Sequence, residues 1–212
     1  MKRIAVLASG SGTNLQALLD AIATRALDAE IAVVVSNRGD AGALCRAMGA
    51  GVPTLVLPLS NRHDPEARAA YDRQLAENIL AFAPDLIVLA GWMLILGPGF
   101  LDRFPGRIVN VHPALLPDDD GDEVMCSQGV LPALRGARVV RDALDRQLPM
   151  TGATVHVVTS TVDAGPVILR EEVPVYPDDD EASLHARVKG VEHRLLPRAV
   201  ALALGNLTVQ EG

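Results

Sequence analysis

Aromatic residues are scarce: three Phe, two Tyr and one Trp make up 3% of a 212-residue chain that is 49% hydrophobic. The core must therefore be aliphatic, which favours Val, Leu and Ile strands buried on both faces between helices. Cysteine is nearly absent. Cys45 and Cys126 are too few for a disulfide framework and lack metal-ligand spacing, so each reads as a free thiol in a reducing compartment. Basic residues are in deficit, 19 Lys+Arg against 26 Asp+Glu, for a net charge of −7. No Lys/Arg block of the kind that holds polyanionic nucleic acid is present. An anionic small molecule is still compatible, because backbone N–H groups bind it locally. No apolar run approaches the roughly 18 residues that would span a membrane. Met1-Lys2-Arg3 precedes an apolar run that soon ends in glycine, too short for a signal peptide. A cytoplasmic location is expected.

What is present is an alternation of strand-length apolar runs with helical patterns. Strands are expected near 3–8, 30–36, 53–58, 85–90, 107–112, 151–158 and 166–175. The first helix is expected from Asn14 to about Ala26, with Leu15, Leu18, Leu19 and Ile22 on one stripe. Asp64-Pro65 reads as an N-cap followed by Pro at the first helical position, and Tyr71, Leu75, Ile79 and Phe82 follow at helical spacing. The last helix starts near Asp180 or Ser183 and points Leu184, Val188, Val191 and Leu195 inward; Pro197 should kink or restart it. The pattern predicts an α/β fold with a mostly parallel sheet of about seven strands and helices on both faces. Ligands in such sheets sit beyond the carboxyl ends of the strands. A single domain is expected over 1–212, with a phosphate-binding half at about 1–100, a catalytic half at about 101–212 and an insertion at about 117–131.

Two segments fall at such strand ends. Ser9-Gly10-Ser11-Gly12-Thr13-Asn14 follows the first strand and opens the first helix. Its glycines permit a tight turn, and the helix N-terminus offers N–H donors to an anion; Thr13 and Asn14 can cap those donors or bind the anion. A bare tight turn is the alternative. The loop lacks the Gly-Lys-Ser/Thr of a Walker A motif, and Leu15 replaces the third glycine of the dinucleotide fingerprint. Arg38, after the second strand, leaves an NADP enzyme as an alternative. Asn110-Val111-His112-Pro113 closes the fifth strand, and side chains two apart on a strand share a face. An amide donor beside an imidazole suits acyl-type transfer: one group binds a developing oxyanion, the other moves a proton. The competing explanation is an Asn and a His that merely satisfy a strand end.

Other features read both ways. Asp163, in Asp163-Ala164-Gly165-Pro166, is a turn residue or a carboxylate that raises the pKa of His112. Gly91 to Leu96 could wall a flat ring or pack in the core. His156 reads as a satisfied core histidine, Arg68 as a surface residue, and Lys189 with Glu192 as an exposed ion pair on a helix. The acidic cluster 118–123 fails the EF-hand pattern, since Leu116 occupies the loop start and Ser127 its closing position. It reads as a solvated loop or one paired with Arg135, Arg138 or Arg141, and no metal site is expected.

Taken together, the chain resembles the folate-dependent glycinamide ribonucleotide (phosphoribosylglycinamide) formyltransferase family of the wider formyltransferase superfamily. The resemblance rests on Ala8 to Gln16, Ala70-Tyr71-Asp72, Leu89-Ala90-Gly91-Trp92-Met93, Asn110 to Pro117, Thr151 to His156 and Asp163 to Ile168. It implies a Rossmann-like formyltransferase fold and transfer of a formyl group from 10-formyltetrahydrofolate, a cosubstrate, to the amine of glycinamide ribonucleotide in purine biosynthesis. It further implies a catalytic triad of Asn110, His112 and Asp163, and a substrate-phosphate loop of Gly12, Thr13 and Asn14. Lys189 and Glu192 would face the substrate, and Arg68, Met93, Leu94, Ile95, Leu96 and Asn110 the folate. Members often carry Arg where Leu94 stands. They also usually run directly from the His-Pro segment into a short Pro-Gly segment and helix; here an acidic stretch intervenes, open to reading as a lid, a partner contact or a change of specificity, with closure of 118–130 over the folate as the hypothesis its position motivates.

The partners implied are small-molecule substrates, with room for a homodimer. Formyltetrahydrofolate hydrolase is a rival, though it usually has a preceding regulatory domain and this first strand begins at Arg3. Methionyl-tRNA formyltransferase is another, though it usually carries a basic C-terminal domain. A non-catalytic phosphate-ligand-binding module is the reading from a different class.

Overall fold

The computed structural model describes residues 1–210. Its elements are β1 (Lys2–Leu7), α1 (Thr13–Ala23), β2 (Ala29–Ser36), α2 (Gly42–Gly49), β3 (Thr54–Val56), α3 (Pro65–Leu80), β4 (Leu86–Leu89), α4 (Pro98–Leu101), β5 (Ile108–His112), β6 (Glu123–Cys126), β7 (Gly129–Pro132), α5 (Val139–Asp145), β8 (Met150–Val157), β9 (Val167–Pro174) and α6 (Glu181–Gln210). A seven-stranded sheet has the order β3-β2-β1-β4-β5-β8-β9. The pairings from β3 through β5 are parallel, and β8 and β9 are antiparallel. The sheet is thus mostly parallel, as expected, and its antiparallel flank carries part of the site.

Strand periodicity divides the core between two faces. On β1 and β4, Ile4, Val6, Leu86 and Val88 join the packing of α1, α2, α5 and α6. Ala5, Leu7, Ile87 and Leu89 face α3 and α4, together with Tyr71, Leu75, Phe100 and Phe104. Burying each large aliphatic side chain stabilises the fold by about 1.5–3 kcal/mol. Leu184, Val188, Val191 and Leu195 are all buried. On α1, Leu15 and Leu18 are buried, while Leu19 and Ile22 pack partly against the same core. The α3 cap is as expected: the Asp64 carboxylate accepts from the N–H of Glu66 at 2.9 Å, with Pro65 behind it.

Three expectations need correction. Pro197 lies inside an α6 that continues to Gln210 and does not restart. Its missing N–H removes one intrahelical bond, and the burial of Leu195, Leu196, Ala199 and Val200 on either side holds the helix to the sheet. The acidic excursion is partly ordered structure: β6 and β7 form an antiparallel hairpin. Val124 and Leu131 on its inner face pack with Leu115 and Met150 in a small third core. Its acidic base is Arg-paired only in part as expected. Arg135 Nη1 lies 3.6 Å from Asp122, but Asp118 pairs with Arg170 of β9 at 3.1 Å. Arg138 and Arg141 instead pair within their own helical turns, with Asp142 and Asp145.

Candidate active site

A cleft of about 620 Å³ opens at the carboxyl ends of β1, β4 and β5. Gly10 to Asn14, Gly91 to Leu96, Asn110, His112, His156, Asp163, Lys189 and Glu192 line parts of it. The phosphate-loop, triad and apolar-loop residues singled out from sequence therefore meet in one place, although they come from distant parts of the chain.

The glycine loop is shaped by its neighbour. Gly12 is the N-cap of α1 with φ +75°, and a Cβ there would lie 2.5 Å from Cα of Ala43. Left-handed backbone and close approach both demand glycine. No side chain caps this helix, so the capping role expected of Thr13 and Asn14 is not the one found. Asn14 instead donates from Nδ2 to Glu192 Oε2 at 2.9 Å. Glu192 is 5% exposed, so it is not half of a surface ion pair. Burial pushes its carboxyl above the ordinary glutamate value, against the pull of Asn14 and Lys189.

At the end of β5, Val109 and Val111 face one core while Asn110 and His112 turn toward the cleft. The antiparallel register sets His156 of β8 opposite Asn110, and Thr154 opposite His112. His156 Nδ1 lies 3.0 Å from the carbonyl of Val157, which calls for a proton on that nitrogen, and Nε2 lies 3.2 Å from Asn110 Nδ2. Asp163 stands between the two imidazoles: Oδ2 is 3.5 Å from His112 Nδ1, and Oδ1 is 3.6 Å from His156 Nε2. His156 is buried and partnered at both ring nitrogens, as expected of a satisfied core histidine, and it also lines the cleft. The signal available in the sequence was the polar alternation of Thr154 and His156 on an otherwise apolar strand.

The electrostatics also depart from expectation. Burial lowers the pKa of His112 and outweighs the Asp163 carboxylate and the Leu134 carbonyl, which both raise it. The carboxylate is legible in the sequence and the desolvation is not, because the 3% exposure of His112 is a tertiary fact. For Asp163, burial raises the pKa, but His156, His112 and the N–H of Gly136 together hold it below the ordinary value. His112 Nε2 lies 2.8 Å from the Leu134 carbonyl. The ring therefore has an oxygen acceptor near each nitrogen, an arrangement that only the doubly protonated form satisfies fully.

The apolar wall is held from behind. The Ser9 hydroxyl accepts from the N–H of Met93 at 3.0 Å, and Asp72 Oδ2 accepts from the N–H of Gly97 at 3.0 Å. Arg68 donates to the carbonyl of Ile95 and lies 3.9 Å from Asp72. Arg68 therefore braces the loop from outside the set of lining residues, while Met93, Leu94, Ile95 and Leu96 line the cleft. Arg38 pairs with exposed Asp40 at 2.8 Å and is not among the residues that line the cleft. Residues 118–130 are not among the lining residues of this cleft; just beyond the hairpin, Gly136 and Ala137 are. Among the described residues, no group of three His, Cys, Asp or Glu side chains is placed to hold a metal ion.

Comparison with known proteins agrees with this geometry. The formyl transferase family profile matches residues 2–200. The phosphoribosylglycinamide formyltransferase of Escherichia coli is 40% identical over 209 residues, covering 98% of this chain and 90% of the relative. That of Mycobacterium tuberculosis is 42% identical over 208 residues, covering 98% and 87%. The crystal structure of glycinamide ribonucleotide transformylase 1 from Symbiobacterium toebii superposes with a TM-score of 0.85 at 40% identity, covering 97% of this chain and 89% of that one. A match spanning nearly the whole sheet and every segment of the cleft places this chain in the formyl transferase family.

Proposed function

We propose that the chain transfers a formyl group from 10-formyltetrahydrofolate to the primary amine of glycinamide ribonucleotide, giving formylglycinamide ribonucleotide and tetrahydrofolate. The observation that carries this reading is the convergence of Asn110, His112 and Asp163 in the same cleft as an uncapped glycine loop at a helix N-terminus. The phosphate of the acceptor fits Gly12, Thr13 and Asn14, where the N–H groups of the first turn are available to an anion. Lys189 adds a cation at the same end, and Glu192, held by Asn14, presents a carboxylate to the acceptor. The apolar wall Met93 to Leu96 suits one face of a flat folate ring, and the cleft volume is within the range of small-molecule sites.

The chemistry follows from proton positions. As the acceptor amine bonds to the formyl carbon, the carbonyl oxygen gains negative charge. The Asn110 amide and the His112 imidazolium, the latter buried beneath the cleft, stabilise that charge. A buried imidazolium with a lowered pKa is a stronger acid, so His112 readily releases its proton to the departing folate nitrogen. It regains one from the attacking amine, which sheds a proton as the new C–N bond forms. Asp163 holds the ring in place and stabilises its charged form. No step in this scheme calls on a metal. A cytoplasmic location is part of the reading, supported by the free thiols of Cys45 and Cys126; among the described residues no helix is long and apolar enough to cross a membrane.

The test mixes the protein with 10-formyltetrahydrofolate, with and without glycinamide ribonucleotide, and follows tetrahydrofolate release by absorbance. Release that requires the ribonucleotide is the expected result. Release without it would indicate a hydrolase, and no release in either mixture would leave a binding module.

A further inference from the structure

We propose that Arg135 is a positioning residue, tying the base of the β6–β7 hairpin to the loop that carries Asp163 and keeping that carboxylate turned to His112. The inference rests on the roles given above to Asp163 and His112.

The first observation is the backbone of Asp163, with φ +52°. This is left-handed territory, uncommon for residues other than glycine though aspartate enters it more readily than most, and here contacts from a neighbouring segment hold it. Three consecutive residues make the surrounding contacts, two on Asp163 itself and one on His112. Arg135 Nε donates to the Asp163 carbonyl at 3.0 Å. The N–H of Gly136 donates to Asp163 Oδ2 at 2.9 Å. The Leu134 carbonyl faces His112 Nε2 at 2.8 Å. One short segment therefore touches both the imidazole and the carboxylate, and Arg135 grips the backbone between them.

The second observation is where the other end of Arg135 goes. Its Nη2 donates to the carbonyl of Gly121 at 2.7 Å, and its Nη1 lies 3.6 Å from Asp122 Oδ1. Residues 121–122 form the base of the hairpin, closed by the N–H of Ala133 donating to the Asp122 carbonyl at 2.8 Å. The hairpin is itself fixed: Val124 and Leu131 pack on Leu115 and Met150, and Glu172 of β9 accepts from the N–H of Ser127 at 2.8 Å. A planar guanidinium bridges two carbonyls on separate segments at once; an ammonium at the same reach has no rigid fork with which to do so. Arg135 is not among the cleft-lining residues, so its effect passes through its hold on Asp163, and secondarily through its positive charge near His112, and not through substrate contact.

The test compares wild type, Arg135→Ala and Arg135→Lys, with Arg138→Ala as a control whose ion-pair partner is Asp142 in its own helical turn. In the formyl-transfer assay kcat should fall about 10- to 10²-fold in Arg135→Ala, the size expected when a reacting group is misplaced by about 1 Å. It should fall more than KM rises for either substrate, with partial recovery in Arg135→Lys and no change in Arg138→Ala. A second readout needs no turnover: amide hydrogen exchange at Gly136, whose N–H is held by the Asp163 carboxylate, should quicken in both Arg135 variants. Unchanged kcat in a folded Arg135→Ala protein, or a rise in KM alone, would overturn the proposal. Should Arg135→Ala not fold, Arg135→Lys is read by the same two measurements. Wild type that transfers no formyl group would sink the functional reading, and Gly136 exchange would then decide the Arg135 inference by itself: faster exchange supports it and unaltered exchange overturns it.

Discussion

The Oδ2 atom of Asp163 lies 3.5 Å from Nδ1 of His112, close enough for an ion pair and longer than a hydrogen bond. The carboxylate comes from the loop before β9 and the imidazole from the end of β5. The gap leaves the pair able to tighten when substrates fill the cleft, as sites without substrate commonly do. His112→Ala should therefore lower turnover by at least about 10²-fold, the lower end for a positioned proton donor. Steady-state kinetics at saturating substrates check this; near-normal turnover would remove His112 from the chemistry.

Asp163→Asn keeps the shape and deletes the charge. Because the carboxylate raises the His112 pKa, its loss should move the pH–rate profile of the free enzyme to lower pH on the limb set by His112. Stability should respond with a definite sign. The folded pKa of Asp163 is below the unfolded one, so its contribution is present above the unfolded value and is lost as pH falls through the folded value. The Tm deficit of the variant should shrink on acidification below the ordinary aspartate range. A deficit that grows there would contradict the assigned shift.

Glu192→Gln should separate stability from function. Burial raises the Glu192 pKa in the folded state, so its contribution is greatest below the unfolded value and is lost as pH rises through the folded one. Replacing it should raise Tm more at pH 8 than at pH 5, while weakening acceptor binding. Thermal melts at the two pH values, together with acceptor KM, provide the check; an equal Tm change at both would show that no buried charge had been relieved.

Gly12→Ala should be costly twice over. A Cβ there meets Ala43 backbone at 2.5 Å, and the φ of +75° disfavours any side chain. We expect a loss of about 1–3 kcal/mol in stability and acceptor KM raised more than donor KM, because the loop and not the apolar wall is distorted. Denaturant melts and paired KM measurements test this. Unaltered acceptor KM in a destabilised protein would dissociate the loop from the phosphate.

Gly165→Ala should disturb the loop that carries Asp163. Its Cβ would stand 1.8 Å from the Val157 carbonyl oxygen, a backbone atom that cannot swing aside. Stability and turnover should fall together, as read by denaturant melts and steady-state kinetics. Wild-type turnover would show that the strand-to-loop contact yields more easily than the geometry implies.

By itself the sequence determined the strand–helix alternation, the α3 cap at Asp64 and the shared face of Asn110 and His112, because these follow from local periodicity and side-chain chemistry. It determined the glycine loop as an anion-binding candidate for the same reason. Only the tertiary structure decided what lies across the gaps. His156 joined the site through its antiparallel register with Asn110, a pairing between strands far apart in the chain. The sign of the His112 shift depended on burial by many segments at once. The acidic stretch became a hairpin packed on Leu115 and Met150, with Arg135 reaching back to Asp163, since no local pattern encodes where an arginine fork will find its two carbonyls.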